Sequence, residues 1–204
     1  MNEAVIPPEH PSPLQQAGVE QRDVLVGPVR IREITDLKLL RLRFIADPSN
    51  ADLPTGDLPI ATGQCDGTDP VILCLGPNEW LAVTGSEEPQ WLSQLLQPAT
   101  GATQAIAYDL TDGLVVLRLT GAAAPWLLAK LSCLDFPAGT RQGRHCARTR
   151  LGEVAVTIHY HRPAGDDWSF DLIADRSIAA YLWSLLQASA PHANELAQVS
   201  GVTQ

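Results

Sequence analysis

The chain has 204 residues and a formal net charge of −9, from 14 basic against 23 acidic side chains, and its pI lies near 4.9. That balance excludes a protein whose task is to grip nucleic-acid phosphates or an anionic membrane surface, because both need a surplus of lysine and arginine. With 45% apolar and only 18% charged residues, the chain can bury a sizeable core and reads as one domain or two small, closely packed ones.

Residues 1–22 carry Pro7, Pro8, Pro11 and Pro13 with polar spacers and no apolar period, which predicts a flexible N-terminal arm. The first eight residues have neither a basic region nor an apolar one. No apolar run approaches the roughly 18 to 20 residues of a membrane span, so the expectation is a cytoplasmic protein. Residues 24–44 are strand-rich, and 47–69 form a Pro- and Gly-rich loop with a short strand at 58–61. Residues 71–75 predict a buried strand, 76–79 a turn and 80–84 the returning strand. Ser86 offers an N-cap to a helix over 90–97, with Glu87 and Glu88 in its first turn.

Further along, 106–110 reads as a strand, Thr111-Asp112-Gly113 as a turn and 115–119 as the hairpin partner. Pro125 fits the first turn of a helix over 126–131, where no backbone donor is lost. Residues 154–160 and 170–173 predict two more strands, Asp175 and Ser177 a cap, and 181–187 a helix. At an offset of 90 positions, Phe170-Asp171-Leu172-Ile173 replaces Trp80-Leu81-Ala82-Val83, and a Leu- and Trp-bearing helix follows in both places. The expected fold is therefore α+β, built from duplicated strand-strand-helix units with helices on one face of a sheet. The corresponding division is an arm over 1–22, a first α+β subdomain over 23–100, a second over 101–190 and a tail over 191–204.

Sequence motifs that carry chemistry are few. GxGxxG before a helix, GxxxxGK[ST] and GxSxG are all missing, so no phosphate-cradling loop or nucleophile elbow is predicted. Cys65, Cys74, Cys133 and Cys146 show no CxxC pair and read as free thiols; His145 and Cys146, as sequence neighbours on a strand, point to opposite sides. His159 and His161 share one strand face at a spacing suited to a metal, but lack a third ligand in the local sequence and read as a solvated edge. Asp109, Asp112, Asp135, Asp166, Asp167, Asp171 and Asp175 read as turn and cap residues. Arg141, Arg144, Arg148 and Arg150 form the basic cluster. Arg148 and Arg150 share a face if extended, which suits a carboxylate substrate or a protein partner's acidic patch; with no catalytic group beside them, the interface or simple solvation is the reading preferred. Tryptophans 80, 91, 126, 168 and 183 outnumber either other aromatic type, and Trp126 and Trp183 join Arg148 and Arg150 as candidate partner-interface residues. No catalytic, cofactor-binding or metal residue is assigned to the chain.

Gly76-Pro77-Asn78-Glu79-Trp80-Leu81, Asp109-Leu110-Thr111-Asp112-Gly113, Val116-Leu117-Arg118-Leu119-Thr120-Gly121, Leu128-Ala129-Lys130 with Leu134-Asp135, Cys146-Ala147-Arg148-Thr149, Phe170-Asp171-Leu172, Asp175-Arg176-Ser177 and Ala180-Tyr181-Leu182-Trp183 follow one another in an order and spacing that resembles the gamma subunit of heterotetrameric sarcosine oxidase. The resemblance runs from about Val24 to Ala190, with Asn78 where the family usually has Asp. It implies a fold like the folate-binding domain of the glycine cleavage aminomethyltransferase and a structural, non-catalytic role. It also implies alpha, beta and delta partner subunits: FAD and FMN with the beta subunit, NAD and tetrahydrofolate with the alpha subunit, and zinc in the delta subunit. The reaction implied for the complex is oxidative demethylation of sarcosine to glycine, with the one-carbon unit passed to tetrahydrofolate. An equivalent subunit of N-methylglutamate dehydrogenase and a free-standing folate-binding protein are the alternatives.

Overall fold

Alternation of Val29, Ile31 and Glu33 with Arg30 and Arg32 produces a strand with one buried and one exposed face, which is how the first sheet begins. A computed structural model describes residues 11–44, 58–59, 61–85, 105–135, 145–161 and 168–199. Its elements, in chain order, are α1 (Pro13–Gln16), β1 (Asp23–Val26), β2 (Val29–Ile34), β3 (Lys38–Phe44), β4 (Cys65–Asp66), β5 (Val71–Gly76) and β6 (Glu79–Thr84). They continue with β7 (Ala105–Asp109), β8 (Leu114–Thr120), α2 (Ala124–Leu131), β9 (Cys146–Leu151), β10 (Val154–His161), β11 (Ser169–Asp175) and α3 (Ala179–Val199). Six strands form one sheet in the order β1-β2-β8-β11-β10-β9, and five form a second in the order β4-β5-β6-β3-β7. Every pairing is antiparallel.

The layers follow from where the apolar residues point. One face of the six-stranded sheet packs Leu117, Leu119, Ile158, Phe170 and Leu172 against Leu127, Leu128, Leu182, Trp183 and Leu186 of α2 and α3. Its other face sets Val116, Cys146 and Ile173 against Leu39, Leu73, Leu81 and Val83 of the five-stranded sheet. The far face of the second sheet carries Leu40, Leu42, Phe44, Ile72 and Trp80. Trp80 satisfies its indole N–H on the Pro59 carbonyl at 2.8 Å, as a buried indole must. The described layers are thus helices, sheet and sheet.

Gly121 allows the close approach that begins the β2–β8 pairing. Its φ is +116°, and an added Cβ would lie 1.9 Å from the Pro28 carbonyl oxygen, so a side chain there would collide with backbone.

Four expectations need correction. Residues 11–22 are docked rather than flexible: Leu14 is fully buried, and the buried Glu33 carboxylate accepts from Ser12 Oγ at 2.7 Å and Leu14 N at 3.2 Å. The reason is that Leu14 supplies core surface and Glu33 needs partners once it is buried. The strand over 115–119 is not the partner of the one before it. β7 pairs with β3 and β8 with β2 and β11, because a 3-10 turn at Thr111–Gly113 carries the chain from one sheet to the other. Thr111 Oγ1 anchors that turn by accepting from Leu39 N at 3.1 Å. Residues 191–199 continue α3 rather than forming a tail, with Pro191 inside the helix. Residues 58 and 59 are not in a strand. The helix read over 90–97, Trp91, Arg141, Arg144, Asp166 and Asp167 lie outside the described residues.

The expected strands at 71–75, 80–84, 106–110, 154–160 and 170–173 all lie where β5, β6, β7, β10 and β11 are found. Within the second sheet β3, β6, β5 and β4 are consecutive neighbours; in the first, β8, β11, β10 and β9 are arranged alike. Each strand of the series in the first sheet is five strands later in the chain than its counterpart in the second. The flanking strand is β7 in one sheet and β2 in the other, so each half of the chain lends a strand to the sheet of the other half.

Candidate functional site

The seam between the sheets is apolar at its centre and ionic at both ends, because strand register sets the side chains on its walls. On the first sheet Arg118 of β8 is opposite Asp171 of β11, which is opposite His159 of β10. These cross-strand partners share a face, and His161 joins it two residues on. Asp171 Oδ1 accepts from Arg118 Nε at 2.7 Å, and Oδ2 from Arg118 Nη2 at 2.9 Å. His161 Nε2 lies 2.6 Å from Asp171 Oδ2. Asp171 is 1% exposed. Burial alone would raise its pKa, but the His161 and Arg118 hydrogen bonds outweigh burial and bring it down to about 2. His159 is 5% exposed; its pKa falls to about 4, chiefly from burial and then from the neighbouring His161.

Two readings change here. Asp171 is a buried mid-strand ion rather than a turn or cap residue, and His159 is buried rather than part of a solvated edge, since its strand runs inside the sheet between β11 and β9. The ligand atoms of His159, His161 and Asp171 all lie within 4.8 Å of one another, a set that could in principle hold a divalent metal. Both oxygens of Asp171 are already engaged, however, and Arg118 places a full positive charge beside it. A cation would have to displace a bidentate ion pair, so the chemistry of the donor set favours a closed structural network.

The other end of the seam is open. Glu79 at the start of β6 accepts from Arg41 Nε of β3 at 2.8 Å, and its Oε1 is also bonded by Arg41 Nη2 and Arg148 Nη2. Burial pushes the Glu79 carboxyl up, but Arg148 and Arg41 together prevail and hold it below its ordinary range. One carboxylate between two guanidinium groups leaves a net positive charge. Arg41 and Arg148 remain 39% and 43% exposed in their side chains. Beside them opens a cavity of about 260 Å³ whose wall includes Leu75, Leu81, Leu114, Thr157 and Asp175. This combination can take up an anionic group presented with an apolar neighbour.

Of the sequence-predicted interface residues, Arg148 reaches the cavity, while Arg150 lies along the same strand and pairs with the exposed Glu153 at 3.4 Å. Trp126 is half-buried against the helical core. Trp183 is a correction: it is 3% exposed, because its place on α3 turns it toward the sheet and makes it a core residue. Asp109 and Asp175 do occupy turn and cap positions, accepting from Thr111 N at 2.9 Å and Ser177 N at 2.8 Å. Sequence reasoning missed Arg41, Glu79 and Arg118. The signal was present in Leu-Arg-Leu and Phe-Asp-Leu, where a charge interrupts a buried strand and demands a partner.

Among the described residues no helix is long and apolar enough to cross a membrane. No curated protein matches the chain. Among solved structures, the chain is similar to a chain of the heterotetrameric sarcosine oxidase from Corynebacterium sp. U-96, determined in complex with pyrrole 2-carboxylate. The identity is 26%, covering 90% of this chain and 95% of that one, with a TM-score of 0.71. The glycine cleavage system aminomethyltransferase T from Bartonella henselae is 18% identical over 76% of this chain and 44% of that one, with a TM-score of 0.49. A family model, described as the sarcosine oxidase gamma subunit family, matches residues 46–192. That match spans well over half the sequence, and the chain belongs to the sarcosine oxidase gamma subunit family.

Proposed function

We propose that the chain is the structural gamma subunit of a heterotetrameric sarcosine oxidase. In this reading the flavins, NAD, tetrahydrofolate and zinc are held by alpha, beta and delta partners, which oxidise sarcosine to glycine and pass the one-carbon unit to tetrahydrofolate. The observation that carries the reading is the near end-to-end correspondence with a chain of a heterotetrameric enzyme, 90% of one and 95% of the other. The open end of the seam supplies the docking chemistry. Arg41 and Arg148 keep a net positive charge beside an apolar cavity, and Arg150 extends the basic edge. An acidic segment of a partner subunit fits there, while half-buried Trp126, on the helical layer of the other sheet face, is a separate apolar contact. The matching strand orders of the two sheets support an internal duplication in which each half donates one strand to the other, with the boundary near residue 100.

Purification of the tagged chain from its own cells tests the reading. Recovery with three further subunits, flavin absorbance and sarcosine-dependent peroxide formation supports it. A colourless chain recovered alone, or one that brings an N-methylglutamate-oxidising complex, overturns it.

A further inference from the structure

Two thiols face each other across the seam between the sheets. Cys65 lies on β4, an edge of the five-stranded sheet, and Cys146 opens β9, an edge of the six-stranded sheet. Backbone bonds fix their relative placement. The Gly63 carbonyl accepts from His145 N at 2.7 Å and Cys146 N at 3.0 Å, while Cys74 N donates to the Gln64 carbonyl at 2.9 Å. Cys146 Sγ lies 3.6 Å from the Gln64 carbonyl oxygen, one residue from Cys65, and 3.5 Å from that of Cys74. Cys65 packs against the apolar cluster that holds Cys146, and its register partner on β5, Leu73, is buried in that same cluster. Cys74 belongs to the cluster on the opposite face of its sheet, and Cys133 is exposed beyond α2.

We propose that Cys65 and Cys146 are a redox-responsive thiol pair that a peroxide converts to a disulfide, fastening the edge of one sheet to the edge of the other. The division of labour follows from the environment. The neighbouring Cys65 thiol lowers the pKa of Cys146, with help from Arg148, while Cys146 and burial raise that of Cys65. Cys146 is therefore the nucleophile and Cys65, half-buried and partly open to solvent, the resolving thiol. The Cys146 sulfur attacks one oxygen of hydrogen peroxide, the O–O bond breaks, and the first water leaves with the Cys146 proton, giving a sulfenic acid. Cys65 sulfur then attacks that sulfur, the S–O bond breaks, and hydroxyl departs with the Cys65 proton as the second water. Two thiols and one peroxide become one disulfide and two waters; each sulfur loses one electron and the peroxide gains two.

The test uses the complex purified from its own cells, exposed to hydrogen peroxide, denatured in the presence of an alkylating agent and mapped by peptide mass. The expected result is a cross-link between the Cys65 and Cys146 peptides, lighter by two hydrogens, in most chains. It is reversed by a dithiol, absent in Cys65→Ser, and retained in Cys133→Ser. Full alkylation of both cysteines after treatment would overturn the proposal, as would over-oxidation of either one without a cross-link. Pairing of either cysteine with Cys74 or Cys133 would overturn it too.

Discussion

The two ends of the inter-sheet seam use the same device to opposite effect. Each holds a carboxylate gripped from two sides, Asp171 by Arg118 and His161 and Glu79 by Arg41 and Arg148. At the closed end the carboxylate side chain is 2% exposed, and both of its oxygens are engaged by partners on the same sheet. At the open end the carboxylate is 14% exposed and its cations come from both sheets, with positive charge left over beside a cavity. Ion pairs enclosed by protein bear on folding, since breaking one leaves an uncompensated buried charge. Ion pairs at a wet edge bear little on folding and keep charge available for association.

The contrast can be broken most forcefully at Asp171. Asp171→Ala removes the bidentate partner of Arg118, whose side chain is 34% exposed, and should cost up to about 3 kcal/mol of stability, read by denaturant unfolding of the chain. A loss near that of a surface substitution would mean that the closed end is not closed. His159 sharpens the same point through pH. Its folded pKa of about 4 is below its ordinary 6.5, so the unfolded chain binds the proton first. The associated stability is complete above pH 6.5 and is lost as pH falls from 6.5 toward 4, by about 3 kcal/mol if the full shift is expressed. Asp171, depressed from 3.8 to about 2, adds a second loss as pH falls through that lower window. His159→Gln should flatten the decline between pH 6.5 and 4; an unchanged slope would place its origin elsewhere.

The open end should respond in the reverse sense. Glu79→Gln is expected to change the unfolding free energy of the isolated chain by about 1 kcal/mol or less, because its partners remain solvated. Arg150→Ala, which loses a pair whose side chains are 66% and 89% exposed, should fall within about 0.5 kcal/mol of the parent. Equal costs at Glu79 and Asp171 would erase the distinction between the ends.

How much of this was legible in the sequence differs by length scale. Strands such as Val71–Gly76 and Val154–His161 were visible because apolar, β-branched runs bounded by turns have few other solutions. Their partners were not. Thr111-Asp112-Gly113 looks like a hairpin turn, and only the competing strands β3 and β11 reveal that the chain changes sheets there. Cap residues such as Asp175 were readable because a local hydrogen bond defines them. Asp171 was misjudged by the same rule, since its partners lie 53 residues away at Arg118 and 10 away at His161. Leu14 was hidden by its proline-rich neighbours, although one buried side chain and the Glu33 carboxylate were enough to dock the segment. Arg148 stood out as part of a basic cluster, but its union with Arg41 and Glu79 across two sheets required the fold.

The central claim is that the closed end holds the subunit together and the open end joins it to its partners. Native mass spectrometry of the complex assembled in its own cells with the Arg148→Glu, Arg150→Glu chain tests it most directly, with the unfolding midpoint of that variant measured alongside. The account predicts a chain that folds with a midpoint close to the parent's and is missing from the four-subunit complex. Recovery of the doubly reversed chain in a full, stable heterotetramer would contradict it.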